Sequence, residues 1–94
     1  MPTVLAVERR IFKVEGFDVV IRHLDGRNVR SDREKLPQYP YKRAMANRSD
    51  VKAWKETRFQ PHYPGFQVDV IDAYGRRGHG GKLLRTVRDT FFDE

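Results

Sequence analysis

Val68-Asp69-Val70-Ile71-Asp72-Ala73-Tyr74-Gly75-Arg76-Arg77-Gly78-His79-Gly80-Gly81-Lys82-Leu83-Leu84 reads as a strand, a glycine-rich basic loop and the start of a helix. In the strand, Phe66, Val68 and Val70 alternate with Gln67 and Asp69, while Ile71 falls on the second face. After the loop, Leu83, Leu84, Val87 and Phe91 recur at helical spacing, with Lys82, Arg85, Thr86 and Asp89 on the opposite side. The order strand, loop, helix near the end of a short chain predicts a mixed fold with helix and sheet in one layer system.

Working outward from that stretch, Gln60-Pro61-His62-Tyr63-Pro64-Gly65 holds two prolines and a glycine and ends any helix before it. The helix it ends starts at Ser49-Asp50, a cap followed by an acidic first turn, and runs through Val51, Trp54 and Arg58. Pro40 opens a shorter helix through Tyr41, Ala44 and Met45, with Asn47 available to end it. From Ser31 to Pro40 the chain reads as loop, because Pro37 and Pro40 hold the residues before them extended.

The N-terminal third reads as a β-meander. Arg9–Val14 and Phe17–Leu24 are β-rich runs separated by Glu15-Gly16, which suits a tight hairpin. Asp25-Gly26 is a second turn signal, and the polar run Arg27–Ser31 after it fits an edge strand. The fold expected is one α+β domain over residues 1–94: an N-terminal antiparallel β-meander, a helical middle segment, one further strand in the same sheet, and a C-terminal helix packed on the sheet.

Composition narrows the classes of function. Ninety-four residues fit one domain, and six Phe, four Tyr and one Trp supply large buried areas where only 38% of residues are hydrophobic. With no cysteine, a disulfide framework, a thiolate metal site and a cysteine nucleophile are excluded. The apolar run Val4–Val7 gives way to Glu8-Arg9-Arg10 and is too short for a signal peptide or a membrane span, so the expected address is cytoplasmic, with no membrane partner. Nineteen Lys and Arg against 13 Asp and Glu leave a net charge of +6, which favours nucleic acid, acidic proteins or anionic small molecules as partners.

Two segments are candidate binding sites. The glycine loop offers Arg76, Arg77, Gly78, His79, Gly80, Gly81 and Lys82 ahead of a helix N-terminus. Glycines let a backbone approach an anion closely, and a helix start presents N–H groups with partial positive charge. The same glycines also suit a plain turn that requires positive φ, with the arginines simply exposed. The second segment is a basic patch of Lys42, Arg43, Arg48, Lys52, Lys55 and Arg58 interleaved with Tyr41, Trp54 and Phe59. Such a mixture suits phosphate neutralisation and base stacking, although Val51 and Trp54 at i, i+3 spacing also fit a helix face buried on the sheet.

Known cofactor loops fit the glycine segment poorly. A phosphate-binding loop of the Walker type needs a hydroxyl after the lysine, and Leu83 stands there. In the dinucleotide fingerprint the third glycine would fall at another spacing, with an acidic residue some twenty positions further on. Gly78-His79-Gly80-Gly81-Lys82-Leu83-Leu84 resembles the second half of the acetyl-CoA loop of the N-acetyltransferase family, in which backbone N–H groups hold a pyrophosphate. That resemblance implies a CoA-type ligand held at Gly78, Gly80 and Gly81. Gly75 departs from it, standing where Gln or Arg is expected, and 94 residues is short for that fold.

Other residues carry less. His23, His62 and His79 have no helical partner at i+3 or i+4, so spacing reveals no metal site. His23 continues an apolar strand face and is expected to be half-buried, whereas His79 lies among groups suited to binding. Strand alternation puts Asp69 and Asp72 on opposite faces, which argues against paired carboxylates. No nucleophile and base stand in a recognisable arrangement, and no cofactor is implied by the residues themselves. The expectation is a small basic binding module for nucleic acid or another polyanion. The alternatives are a domain that docks on an acidic protein and a small-molecule anion site, CoA- or nucleotide-like, at the glycine loop.

Overall fold

The computed structural model describes residues 3–30, 33, 34 and 36–92. It is an α+β fold with elements in the order α1 (Val4–Glu15), β1 (Asp18–His23), α2 (Val51–Trp54), β2 (Phe66–Ile71) and α3 (Leu84–Phe92), and α2 continues into a π-helical stretch over Lys55–Phe59. Among the described residues no helix is long and apolar enough to cross a membrane.

Helix α1 replaces the strand expected over Arg9–Val14. Val4, Val7 and Ile11 share one face and are all buried. That apolar stripe begins outside the β-rich run, so the run viewed alone hides the helical period. Thr3 caps the start by accepting the Ala6 N–H at 3.1 Å. Gly16, at φ 82°, ends the helix in the left-handed region, with its N–H bonded to the Phe12 carbonyl at 2.9 Å. A left-handed glycine serves a hairpin and a helix C-terminus equally well, and here it serves the helix.

β1 therefore has a different partner from the one expected. It pairs antiparallel with β2, Val19 opposite Val70 and Ile21 opposite Val68, and all four side chains are buried. Both strands end in turns of one design. Gly26 (φ 88°) donates to the His23 carbonyl while His23 N–H bonds Arg27. Gly75 (φ 79°) donates to the Asp72 carbonyl while Asp72 N–H bonds Arg76. These are three-residue hairpin loops with glycine at the left-handed position. The third strand expected after Asp25-Gly26 shrinks to a single bridge between Asn28 and Arg22, and Ser31 at its end lies outside the described residues. Because Arg9–Val14 is helical and Arg27–Arg30 forms no strand, the described residues show no three-stranded meander and a sheet of two strands.

No helix forms over Pro40–Asn47. Its backbone groups are bonded to side chains from elsewhere: the Tyr41, Arg43 and Met45 carbonyls accept from Arg10, Arg58 and Arg88, and the Met45 N–H donates to Glu15. These bonds satisfy the groups a helix would have used.

At the centre lies Glu15, 1% exposed. Its Oε1 accepts from Met45 N–H at 2.9 Å and Arg88 Nη2 at 3.1 Å. Its Oε2 accepts from the Tyr39 hydroxyl at 2.5 Å and Arg58 Nη1 at 2.7 Å. Burial, followed by the Glu15 hydrogen bond and charge, pushes the Tyr39 phenol well above its ordinary range. Around this carboxylate, Trp54 meets Phe17 edge-on at 5.1 Å and Phe59 stacks on Tyr63 at 4.8 Å. α1 is the helix that lies along β1. α3 meets α1, with Phe91 edge-on to Phe12 at 5.4 Å and Arg88 on Glu15, and its Leu84 and Val87 join the buried cluster that also holds Val19 and Val70 of the sheet.

Candidate functional site

The two candidate segments meet. Residues 47–52 run antiparallel to residues 80–85, with Lys52 N–H on the Gly80 carbonyl at 3.0 Å and Val51 N–H on the Lys82 carbonyl at 2.9 Å. In return Leu84 N–H bonds Ser49 at 2.8 Å and Arg85 N–H bonds Asn47 at 3.1 Å. Gly80 eases this approach, because a Cβ there would lie 3.3 Å from Lys52 Cβ, close enough that one of the two must give by a few tenths of an ångström. Gly78 is buried beside Val51 and Val87. The result is a strip that carries Arg48, Lys52 and Arg85 exposed, Lys82 half-buried and His79 exposed.

The backbone contributes donors to the strip in an unexpected place. The first N–H groups of α3, those of Leu84 and Arg85, are already bonded to carbonyls and so offer nothing to an anion. Gly78 N–H is likewise held by the Val70 carbonyl at 2.8 Å. The N–H groups of His79, Gly80 and Gly81, in contrast, make no hydrogen bond among the described residues. These three successive amides, with Gly80 against Lys52, are the backbone donors the strip can offer an anion.

Acids temper the basic loop. Asp72 is buried, and its Oδ1 accepts from Tyr74 N–H at 2.9 Å and Arg76 N–H at 3.0 Å. Its Oδ2 lies 3.4 Å from Arg76 Nε and 3.9 Å from Lys82 Nζ. Burial alone would raise the Asp72 pKa, but the two amides and the charges of Arg76 and Lys82 outweigh it and hold the carboxyl below its ordinary value. Asp69 holds Arg22 at 2.5 Å and draws Arg77 to 3.7 Å. The two aspartates thus belong to separate ion clusters, in keeping with their opposite strand parity. Arg85 faces Asp89 at 3.9 Å, but both are exposed and the attraction is screened by solvent. Asp50 accepts the Ala53 N–H at 2.7 Å and caps α2.

The sequence-derived basic patch divides. Arg48 and Lys52 lie on the strip, and Lys42 and Arg43 are exposed on the irregular segment before it. Lys55 lines a groove with Leu24, Phe59 and Phe66, whose lining includes none of the strip residues. Arg58 is structural: it bonds Glu15, donates to the Arg43 carbonyl at 2.6 Å and covers the Tyr41 ring at 4.3 Å. The aromatics interleaved in that segment do not face solvent, since Trp54 and Phe59 are fully buried and Tyr41 is half-buried.

One exposed aromatic was not singled out by sequence reasoning. Tyr74, 63% exposed, stands on the turn after β2 with the Arg76 guanidinium 5.1 Å from its ring centroid. The signal was the order Asp72-Ala73-Tyr74-Gly75, a turn with its aromatic residue just before the left-handed glycine. Of the histidines, His23 is half-buried against Phe66 at 6.2 Å, His62 meets the Tyr41 hydroxyl at 3.3 Å, and His79 is exposed. Among the described residues no three His, Cys, Asp or Glu side chains gather as metal ligands would.

Comparison of the chain with known protein families, with curated proteins and with solved structures found no match. The functional reading therefore rests on the geometry above.

Proposed function

We propose that this protein is a small binding module for a polyanion, nucleic acid being the simplest case, and that it binds where residues 47–52 meet residues 79–85. The observation that carries the reading is the backbone pairing of Lys52 with Gly80 and of Val51 with Lys82. It brings together two basic stretches that are distant in sequence, beside three amides, those of His79, Gly80 and Gly81, that make no hydrogen bond among the described residues. Cations neutralise phosphates and release counterions, while amides of successive residues hold phosphate oxygens. A CoA-type ligand draws less support, because the Gly78 amide that the acetyltransferase resemblance would use is bonded to Val70.

The test is fluorescence anisotropy of an end-labelled single-stranded oligonucleotide over a range of salt. With Arg48, Lys52, Lys82 and Arg85 each neutralising a phosphate, log K falls against log salt with a slope near about −3, at roughly 0.7 per phosphate. Lys52→Gln lowers that slope by about 0.7. Affinity that does not change with salt, or no binding at low salt, overturns the proposal.

A further inference from the structure

On the polyanion-binding reading just given, we infer that the preferred ligand is single-stranded nucleic acid, with Tyr74 as a stacking platform for an unpaired base. Tyr74 is the tyrosine the fold leaves out. Tyr39 and Tyr63 are 1% exposed and Tyr41 is half-buried, each with its hydroxyl bonded, whereas Tyr74 keeps 63% of its surface in solvent. The turn itself requires Gly75 at positive φ and Asp72 as acceptor, and nothing in that geometry requires an aromatic between them. A ring held there is instead well placed for a ligand with flat faces.

The platform is fixed and continuous with the strip. Asp72 Oδ1 holds the N–H groups of both Tyr74 and Arg76, and Ala73 N–H donates to Thr90 Oγ1 at 3.0 Å, so the turn is tied to α3. The other Asp72 oxygen lies 3.9 Å from Lys82 Nζ, whose own carbonyl accepts from Val51. Arg76 beside the ring adds a second planar group and a positive charge. On the outer face of the sheet, a groove of about 530 Å³ borders Gly75 and Arg77, with Val20 and Ile71 among its lining and Arg22 at its edge. The hollow is mixed, with Gln67 and Asp69 also in its lining and Asp69 holding Arg22 and drawing Arg77, so Tyr74 and Arg76, and not this groove, carry the stacking.

A duplex cannot use these features, because its bases are stacked on one another and present only edges and phosphates. A single strand offers both a phosphate backbone for the strip and free base faces for Tyr74.

The experiment compares three probes at one low salt concentration: an oligothymidylate, a DNA duplex of the same length, and inorganic polyphosphate. Each is titrated with wild type, Tyr74→Ala and Tyr74→Phe. The inference predicts that oligothymidylate binds more tightly than duplex, and that Tyr74→Ala weakens oligothymidylate binding by roughly 5- to 100-fold while polyphosphate is unaffected. Tyr74→Phe, which keeps the ring, retains near wild-type affinity. Duplex bound as tightly as the single strand, or a Tyr74→Ala variant that binds oligothymidylate like wild type, overturns the inference and leaves the polyanion reading standing. Failure of wild type to bind any of the three overturns both.

Discussion

Arg88, on the last helix, closes on Glu15, at the end of the first: its Nε donates to the Glu15 carbonyl at 2.5 Å and its Nη2 to the carboxylate at 3.1 Å. The remaining donor, Nη1, reaches the Met45 carbonyl and Asn47 Oδ1, both at 2.7 Å. One guanidinium thus ties three distant parts of the chain together, and it does so largely out of solvent, at 8% exposure. Removing Arg88 takes one of two cations from the buried Glu15, leaving Arg58, and strips the Glu15 and Met45 carbonyls of the donor that holds them. Arg88→Met, which keeps the aliphatic bulk, should lower stability to urea by about 3–5 kcal/mol. Against a total of about 5–15 kcal/mol for a domain, that loss brings the protein close to unfolding. A change below about 1 kcal/mol, the size expected of an exposed pair, would show that the pair is not the structural centre described.

The N-terminal helix makes a separate prediction. Gly16→Ala places a Cβ in the left-handed region and should cost about 1–2 kcal/mol. Thr3→Ala removes the cap bonded to Ala6 and should cost about 1 kcal/mol. Both are read by chemical denaturation. The Thr3 variant is the discriminating one, because a hairpin centred on Glu15-Gly16 would not involve Thr3; unchanged stability there contradicts the helix.

The strands β1 and β2, the helix α2 and the last helix were legible in the sequence as separate elements, because their periods are local, but the pairing of β1 with β2 was not, since it joins residues some fifty positions apart. Val68 and Val70 as buried strand positions and Val87 on an apolar helix face needed nothing beyond the neighbouring residues, while the cap of α2 falls on Asp50, one place after Ser49, the expected cap. α1 was not legible in the run Arg9–Val14, since its buried stripe starts at Val4 and its C-terminal glycine looks like a hairpin glycine. The Pro40–Asn47 segment misled for another reason: its backbone partners, Arg10, Arg58, Arg88 and Glu15, are set by tertiary structure. The same holds for the site. Both basic segments were visible, but the backbone pairing that joins Lys52 to Gly80 has no local signature.

Alkaline stability should follow Tyr63. Its buried hydroxyl donates to the Pro37 carbonyl at 2.8 Å, and burial pushes its pKa from 10.0 up to about 12. Above pH 10 the unfolded chain releases this proton and the folded chain keeps it, so the folded state binds more protons and stability falls as pH rises. Across the two units to pH 12 the loss amounts to about 2–3 kcal/mol. Tyr63→Phe should reduce the slope of stability against pH in that window, as followed by urea midpoints. An unchanged slope would contradict the burial of this hydroxyl as its cause.

Acid stability should follow Asp72. Its folded pKa lies below the ordinary 3.8, so the unfolded state binds the proton first as pH falls. The stabilisation is therefore fully present above pH 3.8 and is lost as pH drops through the lower folded value. Asp72→Asn keeps an acceptor for the Tyr74 and Arg76 amides but cannot titrate, so its stability curve should be flatter below pH 4 than that of wild type. Parallel curves would show that Asp72 carries no such linkage.

The joined surface is tested most directly by amide chemical-shift mapping of the whole chain during titration with a short oligothymidylate. Binding as described moves the amides of Arg48, Lys52, His79, Gly80 and Gly81 together along one saturation curve, and the movement shrinks as salt is added. A titration in which residues 79–81 shift without 48 and 52, or in which neither group shifts at low salt, would contradict the account.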